Sequence, residues 1–360
     1  MNPRFLVCAG FLICAVLMAA PVPKKKDDAV NEAVQKGTKF LLNSKSPDGS
    51  FGEIGVRPAM GGGKYAPTAL AMMALASVGH LPTDPTDEGK AIEKALDFLT
   101  RSDLQRGQFN YYGSDGSQMY GHGIVTLALT EMLGMGVSKT MDDRVRANCQ
   151  EAVKLILKAQ RVQKPPQFKG GWRYSPMDSS SDLSITVWQL MALRSAKNAG
   201  IDVPKSAIDA AVEYLKRSYP SARDATGRPM NLETGFTYVP GEAPRFSTAS
   251  AGMLAMQVCN QSDAPEVIGT ANYLNKLALK GNEQWFFYGI YYYSQAMQKR
   301  GGAQADKAKQ LTEQLLIRLQ GNDGGWTGEG SESHVGRVYS TSMAMLSLSV
   351  KYHFLPIYQH

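Results

Sequence analysis

Cysteine is scarce: four occur in 360 residues, and two of them, Cys8 and Cys14, fall in the first twenty. The other two, Cys149 and Cys259, make no disulfide framework, and no C-x-x-C pair marks a structural zinc. Two buried free thiols or one bridge are the readings left. No phosphate-loop pattern, nucleophile elbow or His-Glu-x-x-His is present. Charge of one sign is not concentrated either. The net charge is +7, and Lys24, Lys25 and Lys26 form the one tight basic cluster, which speaks against a nucleic-acid partner. A hydrophobic content of 43% with 20% charged residues excludes a disordered chain.

Residues 5–20 form an uncharged apolar run behind Arg4. It falls short of the ~20 residues of a comfortable membrane span and has the layout of an export signal. Ala19 and Ala20 offer small residues for cleavage, whereas Met18 is large for its place and Pro21 follows directly. Residues 1–20 are therefore read as a signal peptide or a retained N-terminal anchor, and 21–28 as a short linker. The expectation is an exported protein, periplasmic or extracellular, touching a membrane only through that segment.

In residues 29–360 a unit recurs six times at a spacing of roughly 40 to 60 residues. Each unit opens with an amphipathic helix whose apolar or small residues fall at i, i+3, i+4 and i+7. Ile92, Ala95, Leu96 and Leu99 show the pattern, and Ile208, Ala211, Val212 and Leu215 repeat it. Asp209, Glu213 and Lys216 fill the opposite face, so these helices keep one side in water. The second helix of each unit is apolar or small nearly all round, as from Thr68 to Leu75, Ile124 to Leu129 and Ala249 to Val258. A helix without a polar face is buried, and about a dozen residues are too few to cross a bilayer. Six buried helices inside six amphipathic ones predict an all-α fold, an α/α toroid of about six helical hairpins with inner and outer rings. An open stack would need polar caps at both ends, and none is visible.

The connections from outer to inner helix are long, most of them about 20 residues, and rich in glycine, serine and aromatics. In a toroid they gather on one rim, where the central cavity opens, and that rim is the expected binding face. Three of them share a plan: Asp48-Gly49-Ser50-Phe51-Gly52, Gly170-Gly171-Trp172, and Gln320-Gly321-Asn322-Asp323-Gly324-Gly325-Trp326. With Gln160 ahead of Trp172, the pattern resembles the Gln-to-Trp repeat of the terpene cyclase and protein prenyltransferase superfamily. Glycines of such a motif allow a tight turn, and the aromatic pins neighbouring repeats together.

That resemblance implies chemistry which can be checked residue by residue. Squalene-cyclase-like enzymes protonate their substrate with an Asp-x-Asp-Asp motif opening an inner helix. The matching stretch here is Asp182-Leu183-Ser184-Ile185, which keeps the leading carboxylate and replaces the other two. A serine hydroxyl is no acid for an alkene. Prenyltransferase β subunits carry Asp-x-Tyr-His-Thr in the last repeat, with the histidine on zinc. Here Arg337-Val338-Tyr339-Ser340-Thr341 replaces the aspartate by arginine and the histidine by serine. No metal and no cofactor is expected on this basis.

Asp182 remains a catalytic candidate or an N-cap of its helix. His122, between Gly121 and Gly123, reads as a ligand-binding or proton-shuttling group or as a satisfied structural histidine. Tyr111, Tyr120, Trp172, Tyr174, Arg245, Trp326 and Tyr339 complete the candidate rim and cavity set. The function expected first is a ligand- or protein-binding scaffold. An enzyme acting on an isoprenoid in the central cavity and a carbohydrate-active α/α-barrel enzyme are the alternatives. The last would need two carboxylates about 5–10 Å apart in the cleft. Expected partners are an apolar small molecule, or a protein or polysaccharide on the loop rim.

Overall fold

The computed structural model describes residues 26–52, 63–104, 106–352 and 355–358. The expected leader and Glu53 lie outside them. Among the described residues twelve α-helices alternate between two rings. The outer ring is α1 (Lys26–Asn43), α3 (Asp87–Thr100), α5 (Lys139–Gln160), α7 (Lys205–Arg217), α9 (Pro265–Asn275) and α11 (Gly302–Leu319). The inner ring is α2 (Tyr65–Ser77), α4 (Gln118–Glu131), α6 (Leu183–Asn198), α8 (Phe246–Val258), α10 (Phe286–Arg300) and α12 (Arg337–Leu348). Each inner helix packs on the next inner helix, and α12 returns to α2, so the ring is closed. The α/α toroid expected from the repeat is the fold.

The division into rings follows side-chain polarity. In α3 the buried residues include the stripe Ala91, Ile92, Ala95, Leu96 and Leu99, with Asp87 and Glu88 in the first turn and Thr86 capping Gly89 N–H at 3.2 Å. All but one residue of α2 and every residue of α8 are buried. Among the described residues no helix is long and apolar enough to cross a membrane.

Two features differ from the expectation. Helix α1 begins at Lys26, so the stretch read as a linker is already helical there; Val30, Ala33 and Val34 are buried, and their stripe draws the preceding turn into the helix. The hairpin partners are also shifted. Short turns lead from an inner helix to the following outer one, and these two pack together, as α2 with α3 and α4 with α5. Helix α1 packs on α12 of the inner ring, and it closes the outer ring through its contacts with α11 and α3.

All inner helices run the same way, with their N-termini on the loop rim. The opposite end is filled by the C-terminal segment, where Leu355 and Ile357 are buried. Ile357 N–H donates to Glu131 Oε2 at 3.0 Å, and Glu131 Oε1 accepts a short bond from the Ser195 hydroxyl. Cys149 on α5 and Cys259 after α8 are both free thiols.

Candidate functional site

The rim loops are fastened to the helices in a repeated way. One turn into an inner helix, a threonine Oγ1 accepts the backbone N–H of an aromatic residue in the preceding loop. Thr68 does so for Phe51 at 2.8 Å, Thr186 for Trp172 at 3.0 Å and Thr341 for Trp326 at 3.0 Å. Both indole N–H groups donate to outer-helix carbonyls, Ile156 O and Leu316 O, each at 2.8 Å. Gln160 donates to Gly170 O and to Ala207 O on α7, and Gln320 to Gly324 O and to Ala33 O on α1. The motif thus stitches one outer helix to the next. The glycine ahead of the aromatic lies against that next helix. A Cβ on Gly170 (φ 88) would stand 2.0 Å from Ala210 O, and one on Gly324 (φ 90) 2.5 Å from Lys36 O.

Several candidates are placed elsewhere than expected. Trp172 and Trp326 are buried in this seam and do not line the cavity. Their indole N–H groups need acceptors, and the outer helices supply them. His122 occupies on α4 the position that threonine holds on α2, α6, α8 and α12. Its Nδ1 accepts Tyr112 N–H at 3.4 Å and its Nε2 donates to Ala152 O at 3.0 Å. With both nitrogens engaged and the ring fully buried, its pKa is pushed down to about 4 by desolvation. His122 is a neutral structural side chain, not a rim ligand. Tyr111 packs edge-on to Phe109 and tilted against His122, outside the cavity wall.

Arg337 forms two 2.8 Å bonds to the Asp323 carboxylate and stacks on Phe40 of α1 at 4.7 Å. The arginine that replaces the expected aspartate therefore belongs to the seam closing the ring. Beside it Ser340 is fully buried and points its hydroxyl at Gly336 O. Among the described residues no three His, Cys, Asp or Glu side chains lie close enough together to hold a metal ion.

Three carboxylates sit at the rim, Asp182 and Glu332 buried and Asp115 half-buried, and each satisfies N–H groups that a helix start leaves open. Asp115 accepts Tyr65 N–H of α2 at 3.0 Å. Asp182 caps its own helix, with Oδ1 accepting Ile185 N–H at 2.9 Å and the Ser184 hydroxyl at 2.7 Å. Glu332 reaches α10, accepting Phe287 and Tyr288 N–H at 2.9 Å each, and takes the Tyr339 hydroxyl at 3.1 Å. They serve every second inner helix. Burial raises all three pKa values, against the opposing effect of these bonds.

Above them all six inner helices enclose a cavity of about 230 Å³. Ala66, Pro67 and Leu70 of α2, Ile124 of α4 and Val335 make one side aliphatic. The other side carries Tyr120, Tyr174, Ser184, Tyr238, Arg245, Ser247 and Thr248, with Trp188, Trp285, Tyr288 and Tyr339 adding aromatic surface. Trp188 is nearly parallel to Tyr291, at 5.9 Å and 9°. Asp182 is behind this wall, reaching it through Ser184, which also accepts the Tyr120 hydroxyl at 2.5 Å.

Among the described residues no carboxylate lines the cavity. Most of its hydroxyls are already paired, Tyr174 with Tyr238 at 2.6 Å for example. Two neighbouring polar groups are less committed. Among the described residues Arg245 reaches only the Glu242 carboxylate, at 4.0 Å, and the hydroxyl of Ser247, a residue of the cavity wall, has no hydrogen-bond partner.

Of the expected site residues, Tyr120, Tyr174, Arg245 and Tyr339 meet in this wall. Trp188, Ser247, Trp285 and Tyr288 had not been singled out. The usable signal was register, because Tyr120, Ser184, Ser247 and Tyr339 all lie one or two residues ahead of the threonine, or His122, position in their inner helices.

A family model, the prenyltransferase alpha-alpha toroid domain, matches residues 1–117 and 94–355. No curated protein matches by sequence. Among solved structures, the type II terpene cyclase MstE from Scytonema, an R337A form in complex with geranylgeranyl dihydroxybenzoate, superposes with a TM-score of 0.58 at 13% identity, over 92% of this chain and 99% of that one. A protein from Actinoplanes gives 0.54 at 14% identity, covering 90% and 99%. Rex8A from Paenibacillus barcinonensis, complexed with xylose, gives 0.53 at 12%, covering 92% and 95%. At these identities the likeness is one of fold.

Proposed function

The chain belongs to the prenyltransferase alpha-alpha toroid family, and from that premise we propose that it is an exported binding protein whose central cavity holds an apolar small molecule. The observation that carries this reading is the wall itself: aliphatic and aromatic, with no carboxylate among the described residues. The carboxylates nearest to it are engaged as helix caps, so among the described residues neither an acid facing the ligand nor the pair a glycoside hydrolase uses lines the cavity. Arg245 and Ser247 suit one hydrogen-bond-accepting, anionic end on an otherwise apolar body. The size of the cavity, just below the ~300 Å³ where sites for drug-sized molecules begin, suits a short isoprenoid acid or a compact ring system. The likeness to a cyclase that takes a geranylgeranyl compound supports an isoprenoid-like body. The apolar run at 5–20 behind Arg4 supports export.

The test is mass spectrometry of organic extracts from protein purified gently from its host, with calorimetric titration of geranic acid and geraniol. A stoichiometric apolar compound, and tighter binding of the acid that is lost in Arg245→Ala, are expected. An empty cavity that binds neither probe would overturn the reading and turn the search to protein or polysaccharide partners on the rim.

One observation favours a second reading, an enzyme on the same ligand. Asp182 Oδ2 is buried without a direct hydrogen-bond partner, and burial raises the pKa of its carboxyl. Ser184, whose hydroxyl donates to the other oxygen, Oδ1, and Tyr238 stand between this carboxyl and the cavity. Turnover of the extracted compound that disappears in Asp182→Asn would establish it.

A further inference from the structure

We infer that Trp285 sets what the cavity admits, its indole being held across the mouth so that short or compact apolar molecules enter and long chains do not. This rests on the ligand reading of the cavity.

Trp285 is the residue immediately before α10, on the rim, and its half-buried side chain belongs to the cavity wall. Trp188, on the second turn of α6, is by contrast 1% exposed and lies deep. The two indoles therefore mark the mouth and the interior of one space.

The backbone of Trp285 is left-handed, with φ 59 and ψ 49. For a bulky residue that is a strained conformation, which persists only when its surroundings over-determine it. The corresponding place before α12 also needs a positive φ and is filled by Gly336, at φ 100. The other four inner helices are entered at negative φ, through Lys64, Ser117, Asp182 and Arg245. Before α10 the chain carries a tryptophan at a backbone cost instead, and its ring faces the cavity.

Two features hold it there. The Glu332 carboxylate clamps the next turn through Phe287 and Tyr288 N–H. The connection from α9 runs from Asn275 to Phe286, ten residues, the shortest on the rim, so little slack remains for the backbone to relax.

The experiment measures geranic and geranylgeranic acid binding, with melting temperatures, for wild type, Trp285→Phe, Trp285→Ala and Trp285→Gly. Wild type and Trp285→Phe are expected to prefer geranic acid. Trp285→Gly is expected to shift the ratio of the two affinities toward the long acid by on the order of tenfold, with faster release. Trp285→Gly should also melt above Trp285→Ala, the reverse of the usual order, because alanine keeps the left-handed strain and glycine loses it. Wild-type protein that binds neither acid would sink the ligand reading itself. Wild type that binds while Trp285→Gly leaves the ratio unchanged, or a Trp285→Ala that melts above Trp285→Gly, would overturn the assignment of Trp285 alone.

Discussion

Replacing Glu131 by glutamine should make the stability of the protein less dependent on pH. Glu131 ends α4, faces the plug formed by Leu355 and Ile357, and is almost completely buried. Burial pushes its pKa from 4.5 up to about 7, against the opposing bonds from Ser195 and Ile357 N–H. A negative charge at the C-terminal end of a helix is disfavoured by the helix dipole as well. Below pH 4.5 the folded and unfolded chains both hold this proton. Between pH 4.5 and 7 the unfolded carboxyl ionises while the folded one does not, so stability falls as pH rises and levels off above 7. At about 1.4 kcal/mol per unit, the loss amounts to about 3 kcal/mol. Glutamine keeps an acceptor for Ile357 N–H and does not titrate. Urea unfolding followed by tryptophan fluorescence from about pH 4 to 9 measures both proteins, and the other raised carboxylates cancel in the difference. Wild type should lose about 3 kcal/mol against Glu131→Gln across that window. A difference that stays constant within about 1 kcal/mol over the whole range would refute the reasoning.

The seam glycines offer a second test. Gly170→Ala and Gly324→Ala each meet a neighbouring carbonyl and a positive φ, and should each cost at least about 2 kcal/mol; Gly200→Ala, at φ 76 in open space, should cost only about 1. Equal melting temperatures for Gly170→Ala and Gly200→Ala would count against the close approach. His122→Thr should be nearly neutral and leave geranic acid binding intact, whereas His122→Ala strands Tyr112 N–H and should cost about 1–3 kcal/mol; lost binding in His122→Thr would restore a ligand role. Gln320→Ala should raise hydrogen exchange in α1 while Gln160→Ala leaves α1 protected, since only Gln320 donates to Ala33 O.

Much of the fold is legible in residue order because it is a matter of local periodicity. The stripe of Ile92, Ala95, Leu96 and Leu99 against Asp87 and Glu88 places α3 in the outer ring without any knowledge of its neighbours. The all-round burial of α8 is equally visible from its apolar and small residues. The partner of each helix is less legible, because the short inner-to-outer turns decide the packing and the long motif-bearing loops attract attention to the other connection. The site is harder again. The motif reads Trp172 and Trp326 as pins between repeats, but it does not show that the indole N–H acceptors on the outer helices leave neither ring for the cavity.

Sequence alone therefore determined which side chains are inside, that the helices form two rings, and that the expected cyclase acids and zinc histidine are absent. Only the tertiary structure decided what the remaining polar residues do. Asp115 is tied to α2 across 50 positions, and Glu332 to α10 across 45. A carboxylate on the rim becomes a cap or a site according to which helix start leaves N–H groups open beside it. That neighbour is distant in the chain, and no local pattern records it. The same holds for Trp285, whose place at the cavity mouth follows from a backbone turn that its own sequence disfavours.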